Sequence, residues 1–129
     1  MFEKRSDRGY RPTLEGIERK TLVHGEKTLM TEFRMRKGAV LPRHFHPHEQ
    51  TGYLFKGRIR LSIGTEEYNA QVGDSWCIPG GVEHGAATLE DSVANRGVFT
   101  RSRRLPAGAD VRQVQLLRPK PRLPAMLAI

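Results

Sequence analysis

His44 and His46 stand two residues apart in the stretch from Gly38 to Gly57, GAVLPRHFHPHEQTGYLFKG, and Gln50 follows four residues after His46. On an extended strand alternate side chains share a face, so both imidazoles can converge on one point. Pro42 and Pro47 flank the pair and disfavour a helix, because each lacks an N–H and restricts the residue before it. Once the chain has turned, Gln50 can add a carboxamide oxygen. Two imidazoles and an oxygen begin a metal site, and a further ligand must come from elsewhere in the chain.

A second stretch, GDSWCIPGGVEH from Gly73 to His84, offers that ligand. Pro79 fixes the loop ahead of the histidine, and Gly73 and Gly81 can take a positive φ, so His84 is presented by a rigid turn. Neutral nitrogen and oxygen donors without a thiolate suit one divalent ion: Zn(II), Ni(II), Mn(II) or Fe(II). Glu49 competes with Gln50 for the fourth place, but strand parity turns it to the opposite side. His48 shares the parity of His46, but Pro47 intervenes, and it reads as a rim residue. His24 belongs to no motif and reads as structural or exposed.

The elements that must position these groups are strands. Ile17 to Val23 and Thr28 to Met35 read as two, the second alternating Leu29, Thr31, Phe33 and Met35 against polar neighbours. Gln50 to Phe55 and Arg58 to Ile63 are two more, split by Lys56-Gly57. Tyr68 to Val72, Ser75 to Ile78, Ala86 to Leu89 and Val93 to Thr100 complete the set, with Gly and Pro between them. Short strands at regular spacing, almost without helical period, predict an antiparallel sandwich or barrel. Residues 1–16 read as an arm or irregular lead-in. Trp76, Tyr53, Phe55 and Phe99 read as core aromatics, and Cys77 as a buried small residue between Trp76 and Ile78.

Composition narrows the classes. The chain of 129 residues is long enough for one domain with a real core, at 37% hydrophobic content. No apolar run approaches the roughly 18 residues of a membrane span. The first ten residues lack an apolar segment and do not read as a secretory signal. A single cysteine excludes an intrachain disulfide, so the cytoplasm is the default location. The net charge of +8 is unevenly spread. Residues 1–95 hold 14 Lys/Arg and 13 Asp/Glu, whereas residues 96–129 hold 8 Lys/Arg and only Asp110. The basicity therefore belongs to the tail, no nucleic-acid-binding signature accompanies it, and nucleic acid is not an expected partner.

The two histidine stretches resemble the paired motifs of the cupin superfamily. Gly38, His44, His46, Gln50 and Gly57 match the first motif, with Gln where Glu is commonest. Gly73, Pro79, Gly81 and His84 match the second, with Thr88 where Asn usually stands. The resemblance implies an all-β double-stranded β-helix, or jelly-roll barrel, with one divalent metal inside, held by His44, His46, Gln50 and His84. It implies a barrel over residues 1–100, including the N-terminal arm, with its core at 28–100. Residues 101–129 would form a basic, Pro- and Arg-rich, irregular extension.

The strings HFHPHEQTGYLFKGRIRLSIG and GDSWCIPGGVEHGA, then VFT followed by arginines, are similar to small cupins of the pectin-degradation KdgF type. That group is associated with opening unsaturated uronate sugars to linear ketonic products. By this likeness Phe99 and Arg103 are candidate catalytic residues. Arg103 would act as a carboxylate clamp, a task that suits a guanidinium. Gly97 stands where the group carries an acid. The expected function is a metal-dependent enzyme on a small sugar-derived carboxylate. A non-haem metal-dependent dioxygenase and a non-catalytic ligand-binding or sensor cupin are the alternatives. Small cupins commonly pair as homodimers through N-terminal strands, which residues 1–23 could provide.

Overall fold

The computed structural model describes residues 1–99, which form strands and, among the described residues, no helix. In chain order they are β1 (Arg11–Leu14), β2 (Ile17–His24), β3 (Thr28–Met35), β4 (Val40–His44), β5 (Gln50–Lys56), β6 (Arg58–Ile63), β7 (Glu66–Gln71), β8 (Ser75–Ile78), β9 (His84–Thr88) and β10 (Ser92–Phe99). Two antiparallel sheets result, ordered β1-β2-β3-β10-β5-β8 and β4-β9-β6-β7. This is the jelly-roll arrangement expected from the sequence.

Each sheet has a dry face because its strands alternate. Leu29, Thr31, Phe33 and Met35 of β3 are buried, as are Ile59 and Leu61 of β6. Leu54 of β5 is wholly enclosed, and Ile17, Phe33, Met35, Leu54, Ile59, Leu61 and Ala86 form one contiguous core between the sheets. The chain steps from one sheet to the other at Gly57, whose φ is +86°. A Cβ at Gly57 would lie 2.4 Å from the Asp91 carbonyl oxygen and 2.8 Å from Ser92 Cα, so only glycine fits this crossing.

Three expectations change here. Residues 1–16 are not wholly irregular: Arg11–Leu14 pairs with β2 as the edge of the six-stranded sheet. The strand is only four residues long and exposed over Arg11 and Pro12, with Leu14 alone packed against the core, so no hydrophobic alternation marked it, and Pro12 is tolerated on an edge strand. Tyr53, Phe55 and Phe99 are not core residues. Phe55 is 63% exposed, and Tyr53 and Phe99 are also exposed. Tyr53 and Phe55 occupy the outer face of β5, opposite in parity to the buried Leu54. Cys77 is likewise exposed, because Trp76 and Ile78 take the inward positions on either side of it.

Candidate metal centre

His44 ends β4 and His84 begins β9, and the two are direct partners in the antiparallel ladder. His46 lies two residues past β4, in the segment that leads to Gln50 at the start of β5. The histidine pair thus comes from the four-stranded sheet and the glutamine from the six-stranded one. The loop at Pro79-Gly80-Gly81 locks the two motifs together. The Gly81 N–H donates to the His46 carbonyl at 2.8 Å. A Cβ on Gly80 would stand 2.3 Å from the Pro47 carbonyl oxygen, so this close approach requires glycine.

The three rings converge. Centroid separations are 4.2 Å for His44–His84, 4.9 Å for His46–His84 and 5.9 Å for His44–His46. One nitrogen from each ring can be chosen so that all three lie within 4.8 Å of one another, and together they could hold a metal ion. The other nitrogen of each is already committed. Nδ1 of His44 donates to the Pro42 carbonyl at 2.8 Å, Nδ1 of His84 to the Val82 carbonyl at 2.9 Å, and Nδ1 of His46 to the His48 carbonyl at 2.9 Å. A neutral imidazole has one N–H, so donation at Nδ1 leaves a bare lone pair on Nε2 in all three. Backbone carbonyls in this role set the tautomer and orientation of a metal-ligating histidine.

The electrostatics favour the same state. Burial pushes the pKa of His44, His46 and His84 below the usual histidine value, against the opposing pull of their hydrogen bonds. His84 falls to about 4, lowered first by burial and further by the charges of His44, His46 and Arg96. The rings are therefore neutral at pH 7. His44 and His84 are 1% and 2% exposed, and Nε2 of His84 is buried with no hydrogen-bond partner. Leaving such an acceptor unsatisfied costs about 1–3 kcal/mol, which an electrophile in the cleft would relieve.

Gln50 fits the same set. Its Oε1 lies 2.9 Å from Nε2 of His46. With Nδ1 already donating, these are two acceptors face to face. They repel unless a cation lies between them or the carboxamide turns its NH2 toward the ring. The donor chemistry and the orphaned Nε2 both suit a divalent ion.

The remaining candidates fall elsewhere. Glu49 faces outward, where its Oε1 is 3.6 Å from the Cys77 Sγ. His48 contributes its carbonyl to His46, and its ring centroid is 6.0 Å from that of His46. Phe99 is half exposed at the end of β10, opposite Thr28. Arg103 lies outside the described residues. At Gly97 a Cβ would meet Thr51 Oγ1 at 2.7 Å, on the exposed side of β5, so a side chain there would point away from the barrel interior.

The sequence reading passed over Arg96, having counted it with the basic tail. It is 6% exposed and lines a cavity of about 50 Å³ together with His44, Gln50, His84 and Trp76. Burial, then the charge of Arg19, lowers its pKa to about 9, so it remains charged at pH 7. Strand parity with Ala94, an inward residue of the same strand, was the signal that could have found it.

The comparisons with known proteins agree with this geometry. A model of the cupin domain matches residues 31–95. The pectin degradation protein KdgF of Dickeya dadantii (strain 3937) is 27% identical over 90 residues, covering 69% of this chain and 82% of that protein. The structure of KdgF from Halomonas sp. superposes with a TM-score of 0.74 at 27% identity, covering 79% of this chain and 96% of that one. An RmlC-like cupin from Shewanella frigidimarina, at 20% identity and a TM-score of 0.72, shares the fold over 77% of this chain and 90% of its own. Two histidine motifs, a jelly roll that brings them together, and a family model spanning half the sequence lead to one statement: the chain belongs to the cupin family.

Proposed function

We propose that this protein is a metal-dependent enzyme acting on a small sugar-derived carboxylate, of the kind that opens unsaturated uronates. His44, His46, Gln50 and His84 are its ligands for one divalent ion. The observation that carries the proposal is the convergence of three imidazoles whose Nδ1 protons are all given to backbone carbonyls. Likeness to two KdgF proteins, one of them named for pectin degradation, supports the uronate class.

A divalent ion bound here would supply Lewis acidity toward a hydroxyl or carbonyl oxygen of the substrate. The chain's own residues do the rest. The three carbonyls hold the rings in register. Gln50, being neutral, leaves the charge of the ion uncompensated where a glutamate would halve it. Ile78, Leu61 and the Trp76 ring give the cavity apolar walls, which strengthen every electrostatic contact inside. Phe99 and Arg103 remain proposed contributors at the end of β10 and beyond. A second copy of the chain could add along β1, which is an edge of the six-stranded sheet.

The test is reconstitution. Protein stripped with a chelator and reloaded with zinc, nickel, manganese or iron(II) is offered an unsaturated galacturonate, and loss of the conjugated double-bond absorbance is followed. Turnover that disappears with the chelator and with His84→Ala is expected. Stoichiometric metal without turnover would overturn the enzymatic assignment and favour a ligand-binding module. One observation favours that second reading: no Asp or Glu among the described residues lines the cavity to move a proton.

A further inference from the structure

The end of the barrel remote from the histidines carries a groove of about 580 Å³, within the usual size range of small-molecule sites. It lies where Ser92 of β10 pairs with Met35 of β3, and Met35 in turn with Ile17 of β2. Val98, further along β10, is the partner of Gln50. At about 3.3 Å per residue between Ser92 and Val98, the groove is roughly 20 Å from the metal centre. Two ladder irregularities shape it. The β1–β2 register shifts between Pro12 and Leu14, and the β5–β10 register shifts between Val93 and Ala94. Such bulges re-aim side chains at sheet edges and barrel rims. Both line the groove here, with Pro12 and Leu14 from the first, and Val93 and its partner Lys56 from the second.

The lining is divided between apolar surface and charge. Leu14, Met35 and Val93 are apolar, Arg34, Arg36 and Lys56 are cationic, and Glu18 and Asp91 are anionic. Arg34 is already engaged. It pairs with Asp7 at 3.3 Å and Glu32 at 3.7 Å, and its guanidinium lies 3.7 Å from the centroid of the Tyr10 ring. Arg36 and Lys56, by contrast, form no ion pair among the described residues. Both side chains are exposed, yet their backbone is fixed. The Arg36 N–H donates to the Gly16 carbonyl at 2.8 Å, and Lys56 precedes the sheet crossing at Gly57. The two acids set a limit on what can enter. Glu18 stands opposite Arg34 in the β2–β3 ladder, and Asp91 accepts the Lys37 N–H at 2.8 Å. Their charges repel a ligand that carries several anionic groups, while Arg36 and Lys56 attract one.

We propose that this groove is a second binding site, for a small organic monoanion with an apolar body. The carboxylate of the ligand sits with Arg36 and Lys56, and its hydrocarbon part lies against Leu14, Met35 and Val93. A guanidinium meets a carboxylate with its planar fork, and an ammonium adds a point charge on a flexible stem. The site is separate from the histidine centre in position and in donor set, so it stands whether or not that centre is catalytic.

The test is a titration of the full-length protein in the presence of zinc, followed by amide proton–nitrogen NMR. The probes are hexanoate, n-hexanol and adipate, which share a carbon count and differ at their ends as monoanion, neutral alcohol and dianion. Hexanoate should move the amides of Gly16, Arg36 and Val93 together and bind about fivefold tighter, or more, than either of the others. Arg36→Gln combined with Lys56→Gln should bring hexanoate down to the affinity of n-hexanol and leave zinc content unchanged. Each single variant should lose part of the preference, and the singles carry the comparison if circular dichroism shows the pair misfolded. Equal binding of hexanoate and n-hexanol, or adipate binding as tightly as hexanoate, would overturn the proposal. So would a preference unchanged in the folded double variant. Hexanoate shifts confined to the amides of His44, Gln50 and His84 would also overturn it, since they would mark a carboxylate held by zinc alone.

Discussion

The two halves of the centre are held by different means. His44 and His84 face each other across the β4–β9 ladder, almost fully buried, each ring tied to a carbonyl two residues back in its own chain. His46 and Gln50 are only half buried and lie on the segment that crosses from one sheet to the other. Their position depends on a loop clasp, the contact of Gly80 and Gly81 with Pro47 and His46. One half is fixed by sheet register and the other by a loop contact.

Perturbing the rigid half should have the largest effect. Changing a residue that supports a ligand costs about 10–100-fold in metal affinity, and losing a ligand outright costs more. Isothermal titration with zinc should show His44→Ala or His84→Ala falling beyond that range while the strand signal in circular dichroism persists. Gly80→Ala should come next. Its new Cβ must displace the Pro47 carbonyl, moving His46 and Gln50 but not the buried pair, and zinc affinity should drop by about tenfold. Equal losses in Gly80→Ala and His84→Ala would erase the distinction between the halves.

Gln50→Glu should shift zinc affinity upward, within about tenfold, and lower activity, because an added negative charge offsets that of the ion. Unchanged affinity and activity would place residue 50 outside the donor set. The mildest effect concerns acid. His84 has its pKa lowered to about 4 in the folded chain from an ordinary 6.5, so between these values the unfolded state binds the extra proton. His44 and His46 shift in the same direction. Stability of the metal-free protein should therefore fall as pH drops from about 6.5 toward 4, read as a declining Tm. A flat profile across that window would contradict the burial of the rings.

Much of the molecule was legible from sequence, for local reasons. β6 was bounded correctly because Ile59 and Leu61 alternate with arginines on a strand with one wet face. The histidines could be found because two short spacings and two rigid loops encode their approach. What stayed hidden depends on partners distant in sequence. Tyr53 and Phe55 are chemically indistinguishable from core aromatics, and only the burial of Leu54 between them turns them outward. Trp76 takes the inner face because Gly52, across the ladder, vacates the space for it, and that choice sends Cys77 to solvent. Arg96 looked like the first residue of a basic tail, when it is the inward-facing cation of a strand paired on both sides.

The convergence of three bare Nε2 atoms is most directly tested by long-range proton–nitrogen NMR of the histidine side chains during zinc titration. Three rings should carry their proton on Nδ1 before metal is added. The Nε2 resonances of those same rings should shift together and saturate at one equivalent of zinc. Protons found on Nε2 in the metal-free protein, or Nε2 resonances that ignore the zinc, would contradict the account.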